Sequence, residues 1–372
     1  MRKGILIILC LSIFFLVGCW DKVEVDQRAF VSSMGIDLND KDKMNRFIVT
    51  YEYPNINAIG KNATEDTKTF VVSTPSSSIF QAGRKFTTSV AFPFYYKHAK
   101  VVVLGEDLAN EGKLVREIID ELNRDTKINK KIQILVSEGK AIDILRANIK
   151  QDQTTDGIIY TALKGTNNAS RFIPQTLMEM IKDADYSGVT LVPKIAKRGK
   201  EVVISGGCVM KDYQHIAWIG EKESRSLSLI NGKTKSDTID VPYKDSIVSY
   251  AITDVSSTKD VRIDEEIIVD IPIKIEGYLQ GYIEGDDRTV YDDEVLKDME
   301  KVIEKFMKKE IERTLKLIQD EYNADLIGIG EDLSKFHHRK WNKIKDRWDE
   351  IFPEVKFNVS VDAKIRRTGL IK

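Results

Sequence analysis

A cationic start, a short apolar run and one cysteine fix where the rest of this chain must fold. Met1-Arg2-Lys3 leads into an uncharged stretch from Gly4 to Val17, and Leu16-Val17-Gly18-Cys19 closes it. The run is shorter than the ~20 residues that span a bilayer. It has the size and flanks of the hydrophobic region of a signal peptide. A branched apolar residue at Leu16 and a small one at Gly18, just before a cysteine, form a lipobox. The Cys19 thiol is the nucleophile that takes up the lipid as a thioether. One acyl chain, at ~0.8 kcal/mol per buried methylene, anchors only marginally, whereas two anchor stably. A diacylglyceryl group on Cys19 supplies both. The expectation is a precursor that loses residues 1–18 and is lipidated at Cys19. The remaining chain then folds on the outer face of a membrane.

Composition agrees with a folded, exported body. Of 372 residues, 42% are hydrophobic and 31% charged, enough for a sizeable core. Loss of Arg2 and Lys3 leaves 55 basic residues against 58 acidic ones, a net of −3, so no bulk basic surface argues for nucleic acid. Cys10 leaves with the leader and Cys19 carries lipid. Cys208 then has no partner for an internal disulfide.

Periodicity predicts strands at Phe30–Ile36 and Phe47–Tyr53, joined by a charged turn, and a polar loop over Pro54–Thr69. A short strand follows at Phe70–Ser73. One of Ser76, Ser77 and Ser78 caps a helix through Val90. Ala99–Leu104 and Ile132–Val136 are buried strands, and Leu114, Val115, Ile118, Ile119 and Leu122 line one helix face. Further helices are expected at Ala141–Asn148, Gly157–Leu163 and Pro174–Ala184, the last with Pro at its first position. A strand at Val189–Ile195 ends this half. The Gly-containing charged join Lys197–Glu201 is taken as the boundary between regions 19–197 and 198–372.

Beyond it, Val202–Met210 and His215–Ile219 form a hairpin. Ile267 to Ile275 alternate along a strand that Pro272 marks as an edge or a bulge. A long helix, Asp292–Tyr322, carries Val295, Met299, Val302, Phe306, Ile311, Leu315, Ile318 and Tyr322 on one face. A second helix carries Trp341, Ile344, Trp348 and Ile351. Phe357 to Ile365 close the chain in strict alternation. Strands and helices mix without a regular βαβ repeat. The expected class is therefore α+β, with two to three small mixed domains and largely antiparallel sheets.

Four blocks together resemble the C subunit of spore germination receptors, the Ger(x)C lipoprotein family. They are Gly18-Cys19-Trp20-Asp21 with Glu24 and Arg28; HAKVVVLGEDLANEG, His98–Gly112; ISGGCVMKDYQHIAWIGEKESRSLSLING, Ile204–Gly232; and the terminal block. The last runs from the long helix through ADLIGIGEDL, Ala324–Leu333, and Trp341, Trp348 and Phe352-Pro353 to Gly369. They span almost the whole chain in the family's order. Cys208 and Met210 depart from its usual small and aromatic residues. The resemblance implies small α+β domains in an elongated arrangement and a lipoprotein on the outer face of the spore inner membrane. It also implies two integral membrane partner subunits in a nutrient receptor, and neither catalysis nor a cofactor.

The chemistry-bearing residues weigh the same way. His337 and His338 are adjacent, so on a helix they point about 100° apart and share no face. Gly328-Ile-Gly330 follows a helix, not a strand, so it reads as a helix C-cap and turn rather than a phosphate cradle. Cys208 reads as an inert buried thiol, and a dyad with His215 has no support. Asp292, Asp293, Glu294 and Asp298 complement the dipole at the long helix's start. Trp341 and Trp348, seven apart, are read first as core and second as a partner interface. A solute-binding lipoprotein of a transporter is the alternative function; it requires two α/β lobes around a cleft.

Overall fold

The computed structural model describes residues 27–55, 69–147, 155–165, 170–282 and 293–366. The leader, Leu16, Val17, Gly18 and Cys19 lie outside them, as do most of the loop after Pro54 and Gly369.

In the first half, β1 (Ala29–Phe30), β2 (Ser33–Leu38), β3 (Phe47–Pro54) and β4 (Thr69–Ser76) precede α1 (Ile79–Lys85). Ser78 caps α1, its hydroxyl accepting from the Gln81 N–H, but the helix ends at Lys85 in a 3-10 turn, Phe86–Thr88. Next come β5 (Phe94–Tyr95), β6 (Val101–Leu104), α2 (Glu106–Ala109), α3 (Gly112–Arg124), β7 (Gln133–Ser137), α4 (Ala141–Leu145), α5 (Thr155–Lys164) and α6 (Leu177–Ser187). Pro174 is not the first residue of α6. Thr176 is the N-cap in a reciprocal capping box with Glu179, a stronger start signal than the proline before it. Then β8 (Val189–Arg198), β9 (Glu201–Lys211) and β10 (Gln214–Ile219) follow.

Eight of these ten strands build one sheet, ordered β10-β9-β8-β7-β6-β2-β3-β4, while β1 and β5 pair with each other. Its centre is parallel: β2, β6, β7 and β8 run the same way, with antiparallel strands outside them. Helices cover both faces. Val102 and Leu104 pack with the α3 stripe of Val115, Ile118, Ile119 and Leu122, while Val101 and Val103 pack with α4 and α5. A strand buried on both faces is continuously apolar, as β6 is.

The charged join at Lys197–Glu201 is the turn of the β8–β9 hairpin, in which Arg198 pairs with Glu201. β9 and β10 therefore belong to the first sheet, although they lie beyond the join in sequence. A charged, Gly-containing pair of residues suits a tight turn as well as a linker, and composition does not separate the two.

After α7 (Glu221–Ile230) a second sheet begins. It contains β11 (Asp237–Tyr243), β12 (Ser246–Ser257), β13 (Asp260–Ile263) and β14 (Ile267–Tyr282). α8 (Asp293–Lys316) follows and ends in one π turn, Leu317–Glu321. Then come α9 (Ile329–Phe336), α10 (His338–Ile344), α11 (Trp348–Ile351) and β15 (Lys356–Ile365), which pairs parallel with β14.

Pro272 corrects an expectation, because β14 is central and not an edge. One side of β14 pairs with β15, and the other pairs first with β13 and then with β12. Pro272 sits where that second partner changes, between the Asp260–Asp270 and Ser257–Ile273 pairs, so its missing N–H falls at a break in the ladder. The buried stripe of α8 keeps the expected Met299, Ile311 and Leu315 but is one residue off at Val295, Val302 and Phe306. Leu296, Met299, Ile303, Met307, Ile311 and Leu315 are buried, with Val295, Val302 and Phe306 at its margin. The expected second helix is broken by a 3-10 turn at Lys345–Arg347 and followed by another at Phe352–Glu354.

One apolar core joins the halves. Ile173, Val189, Leu191, Val209 and Ile219 pack in the same cluster as Ile271, Ile311, Ile327, Trp341 and Trp348.

Candidate functional site

The segment Ala324–Leu333 is where the two halves meet, and a single carboxylate organises it. Asp325 is 4% exposed. It accepts the N–H of Ile329 at 3.0 Å and of Gly330 at 2.7 Å, and the indole N–H of Trp348 at 3.2 Å. Those amides are unpaired donors of the first turn of α9, so Asp325 acts as its cap from outside the helix. Gly328 is therefore at the start of α9 and not at the end of a preceding helix, which corrects the C-cap expectation. Gly330 is required by contact: a Cβ there would stand 2.9 Å from Cη2 of Trp341 and 3.3 Å from Nε1 of Trp348. Burial raises the Asp325 carboxyl above its ordinary range, and the Gly330 and Ile329 amides oppose that rise.

The structure places both indoles in the core. Trp341 and Trp348 are 6% and 5% exposed and meet edge to face with centroids 5.3 Å apart. Trp341, in α10, and Trp348, at the start of α11, both turn inward onto Gly330, and Trp348 also onto Asp325.

Around this hub, paired charges tie the halves. Lys182 of α6 reaches Glu331 at 3.2 Å, and Lys211 of β9 reaches Asp349 at 2.9 Å. Within the second half, Lys259, on the β12–β13 turn, reaches Asp332 at 2.9 Å and also donates to the Ile327 carbonyl. Burial disfavours ionised Glu331, but its bonds to Lys335 and Lys182 outweigh that and hold it below the usual range. Between α6 and this segment lies a polar cleft of ≈ 170 Å³, lined among others by Gln175, Asp183, Thr190, Lys233 and Lys259. Burial raises Asp183, which accepts from Gln175 Nε2 at 2.7 Å. The cleft has room for a few waters or a very small polar group. Its carboxylates are engaged by amides, hydroxyls and ammonium groups, which suits holding the seam together.

Other positions singled out in the sequence are dispersed. Cys208 is fully buried in β9, and burial, with the charge of Glu106, pushes its thiol up. His215 pairs with Met210 in the hairpin register, and its Nδ1 lies 3.0 Å from Asn110 Oδ1. His338 is exposed and bonds Asn342. Asp298 accepts from the Tyr243 hydroxyl at 2.8 Å. Among the described residues no three His, Cys, Asp or Glu side chains form a metal-binding group, and no helix is long and apolar enough to cross a membrane. The hub itself was not readable as a site. The available signal was an aspartate ahead of Gly-Ile-Gly, followed by two tryptophans.

Comparison with known proteins covers both halves. The spore germination protein N-terminal domain matches residues 21–197, and the C-terminal region of the spore germination B3/GerAC-like type matches 205–369. The chain belongs to this spore germination family. Spore germination protein KC of Bacillus subtilis (strain 168) is 26% identical, over 99% of this chain and 97% of its own length. Spore germination protein B3 of the same organism is 23% identical over 96% and 95%. The crystal structure of the GerBC protein superposes with a TM-score of 0.61 at 17% identity, covering 90% of this chain and 97% of that one, so the α+β fold is shared. Membership of this GerAC-like family gives the chain its role in spore germination. Both Asp325 and Gly330 fall inside the matched C-terminal region.

Proposed function

We propose that the chain is the lipid-anchored, non-catalytic C subunit of a nutrient germinant receptor. It is held on the outer face of the spore inner membrane through Cys19 and contacts two integral membrane partner subunits. The observation that carries this reading is the order of parts: the Leu16-Val17-Gly18-Cys19 lipobox runs directly into a body matched almost end to end by the two germination families. Support for a non-catalytic role comes from the chemistry. The Cys208 thiol is buried and raised, and the carboxylates of the seam hold amides, hydroxyls and lysines. Such a subunit works as a positioned scaffold.

The test is purification of the tagged protein from spore inner membrane, with mass analysis of its N-terminus. Two integral membrane partners and a diacylated Cys19 are the expected result. Recovery with a transporter permease instead would overturn the reading. Cys19→Ala is expected to give an unprocessed or released protein and weak germination with nutrients.

A further inference from the structure

From 67 to 105 the chain holds no Asp or Glu, yet it holds Lys68, Arg84, Lys85, Lys97 and Lys100 and seven Phe or Tyr residues. Part of this stretch comes to the surface at Ala91-Phe92-Pro93, all exposed, with Phe92 at 37%. This loop is bonded directly to the first described residues of the chain. The Ala29 N–H donates to the Pro93 carbonyl at 3.1 Å, the Val31 N–H donates to Tyr95 at 3.1 Å, and β1 runs parallel with β5. The Arg28 guanidinium lies 4.8 Å over the Tyr95 ring.

Aromatic contacts continue from there through Phe94 and Tyr53, 5.4 Å apart, to Phe70, which is 43% exposed. Lys97 and Arg84, both within the acid-free run, are exposed. The neighbouring acids have partners of their own: Glu121 accepts the Ile79 and Phe80 amides, Glu117 holds Arg46, Glu52 is buried on Ser33, and Asp125, near Tyr96, accepts the Lys127 amide.

We infer that this face, with Phe92 at its tip and Arg84 and Lys97 in the same run of chain, rests on an anionic lipid surface. The inference deepens the anchor reading and rests on it. From Cys19 to Arg28 is nine residues, which extend to at most ~30 Å. A lipid on Cys19 therefore brings the bilayer within reach of the loop to which that segment leads. Exposed Phe92 and Phe70, with exposed Arg84 and Lys97 in the same acid-free run of chain, match the apolar–headgroup boundary of an anionic leaflet.

The test separates the loop from the lipid. The mature chain carrying Cys19→Ser is sedimented with phosphatidylcholine vesicles, with and without phosphatidylglycerol. Binding to the anionic vesicles alone, falling as salt rises, is expected. Lys97→Glu and Arg84→Glu should each weaken it about five-fold or more. Phe92→Ser should weaken it comparably with an unchanged melting temperature. Phe336→Ser, at an exposed site in α9 of the other half, should leave it unchanged. Equal binding to both vesicle types, or indifference to the Phe92 and Lys97 substitutions, would overturn the inference. So would loss of partner co-purification in these variants with vesicle binding intact, which would make the face a protein interface. Acyl labelling of the native chain reads the anchor independently. A labelled Cys19 with no vesicle binding by the Ser variant sinks only the loop; vesicle binding without labelling sinks only the anchor.

Discussion

Each half of the molecule contains a buried aspartate that caps a helix from a distance, and the two do it differently. Asp37, in β2, accepts the Ala141 and Ile142 amides at 2.7 and 3.0 Å. Asp325 accepts the Ile329 and Gly330 amides at 3.0 and 2.7 Å. Each has a glycine against it: a Cβ on Gly105 would stand 2.2 Å from Asp37 Oδ1, and one on Gly330 3.4 Å from Asp325 Oδ2. The Asp37 bonds cross 104 positions of chain and fasten α4 to the parallel centre of the first sheet, whereas the Asp325 bonds cross four and five. What Asp325 adds is the Trp348 indole, through which a local cap becomes a tertiary contact. A carboxylate at a helix start can thus order a fold either by spanning sequence or by recruiting a side chain.

The comparison breaks most directly by deletion. Asp325→Ala strands three buried donors and is expected to cost about 4 kcal/mol, measured by urea unfolding. Asp37→Ala strands two and should cost about 3 kcal/mol. A reversed order would show that the long-range tie outweighs the donor count. Gly105→Ala forces a Cβ into Asp37 and should cost about 2–3 kcal/mol, and Gly330→Ala, whose nearest obstacle is an indole edge, about 1–2 kcal/mol.

Protonation sharpens the same contrast. Burial raises both carboxyls, so the folded state holds these protons more tightly than the unfolded chain does. The contribution of each site is therefore fullest at low pH and is lost as pH rises through the raised value. Asp325→Asn has no such proton, so its Tm deficit against the native chain should widen as pH falls from neutral toward 3.8, the ordinary aspartate value. The smallest effect belongs to the seam. Lys182 is 45% exposed, and Lys182→Met should change unfolding free energy by less than about 0.5 kcal/mol.

Legibility in the sequence followed what one element alone decides. The alternation of β15, with Val359 and Ala363 buried between exposed Asn358, Ser360, Asp362 and Lys364, was plain. So were the α3 stripe, the apolar run of β6 and a serine cap for α1 at one of Ser76, Ser77 and Ser78, because period and capping are local. Less was readable where an element's neighbours decide. Pro272 reads as an edge or a bulge because a strand's sequence does not say that its partner changes beside it. The α8 stripe was right at Met299, Ile311 and Leu315 but missed at Val302 and Phe306, because these are as apolar as Ile303 and Met307 and only the facing sheet chooses between them. Asp37 passed unnoticed in Ser-Met-Gly-Ile-Asp-Leu because its partners lie more than a hundred residues away. The Ala324–Leu333 block was visible as a family resemblance, but its aspartate was not visible as a hub.

The parallel seating of β15 on β14 carries a consequence for the order of folding. Asn358 and Asp270 bond across the pair at 88 positions' remove. Until residues 356–365 are available, one flank of β14 from Ile268 to Gly277 stays bare. Contacts so distant in sequence slow the search for the native state, and an open strand edge invites other chains meanwhile. The second sheet is therefore the late-maturing part of the molecule, and synthesis of its last strand sets the earliest moment at which the body is complete.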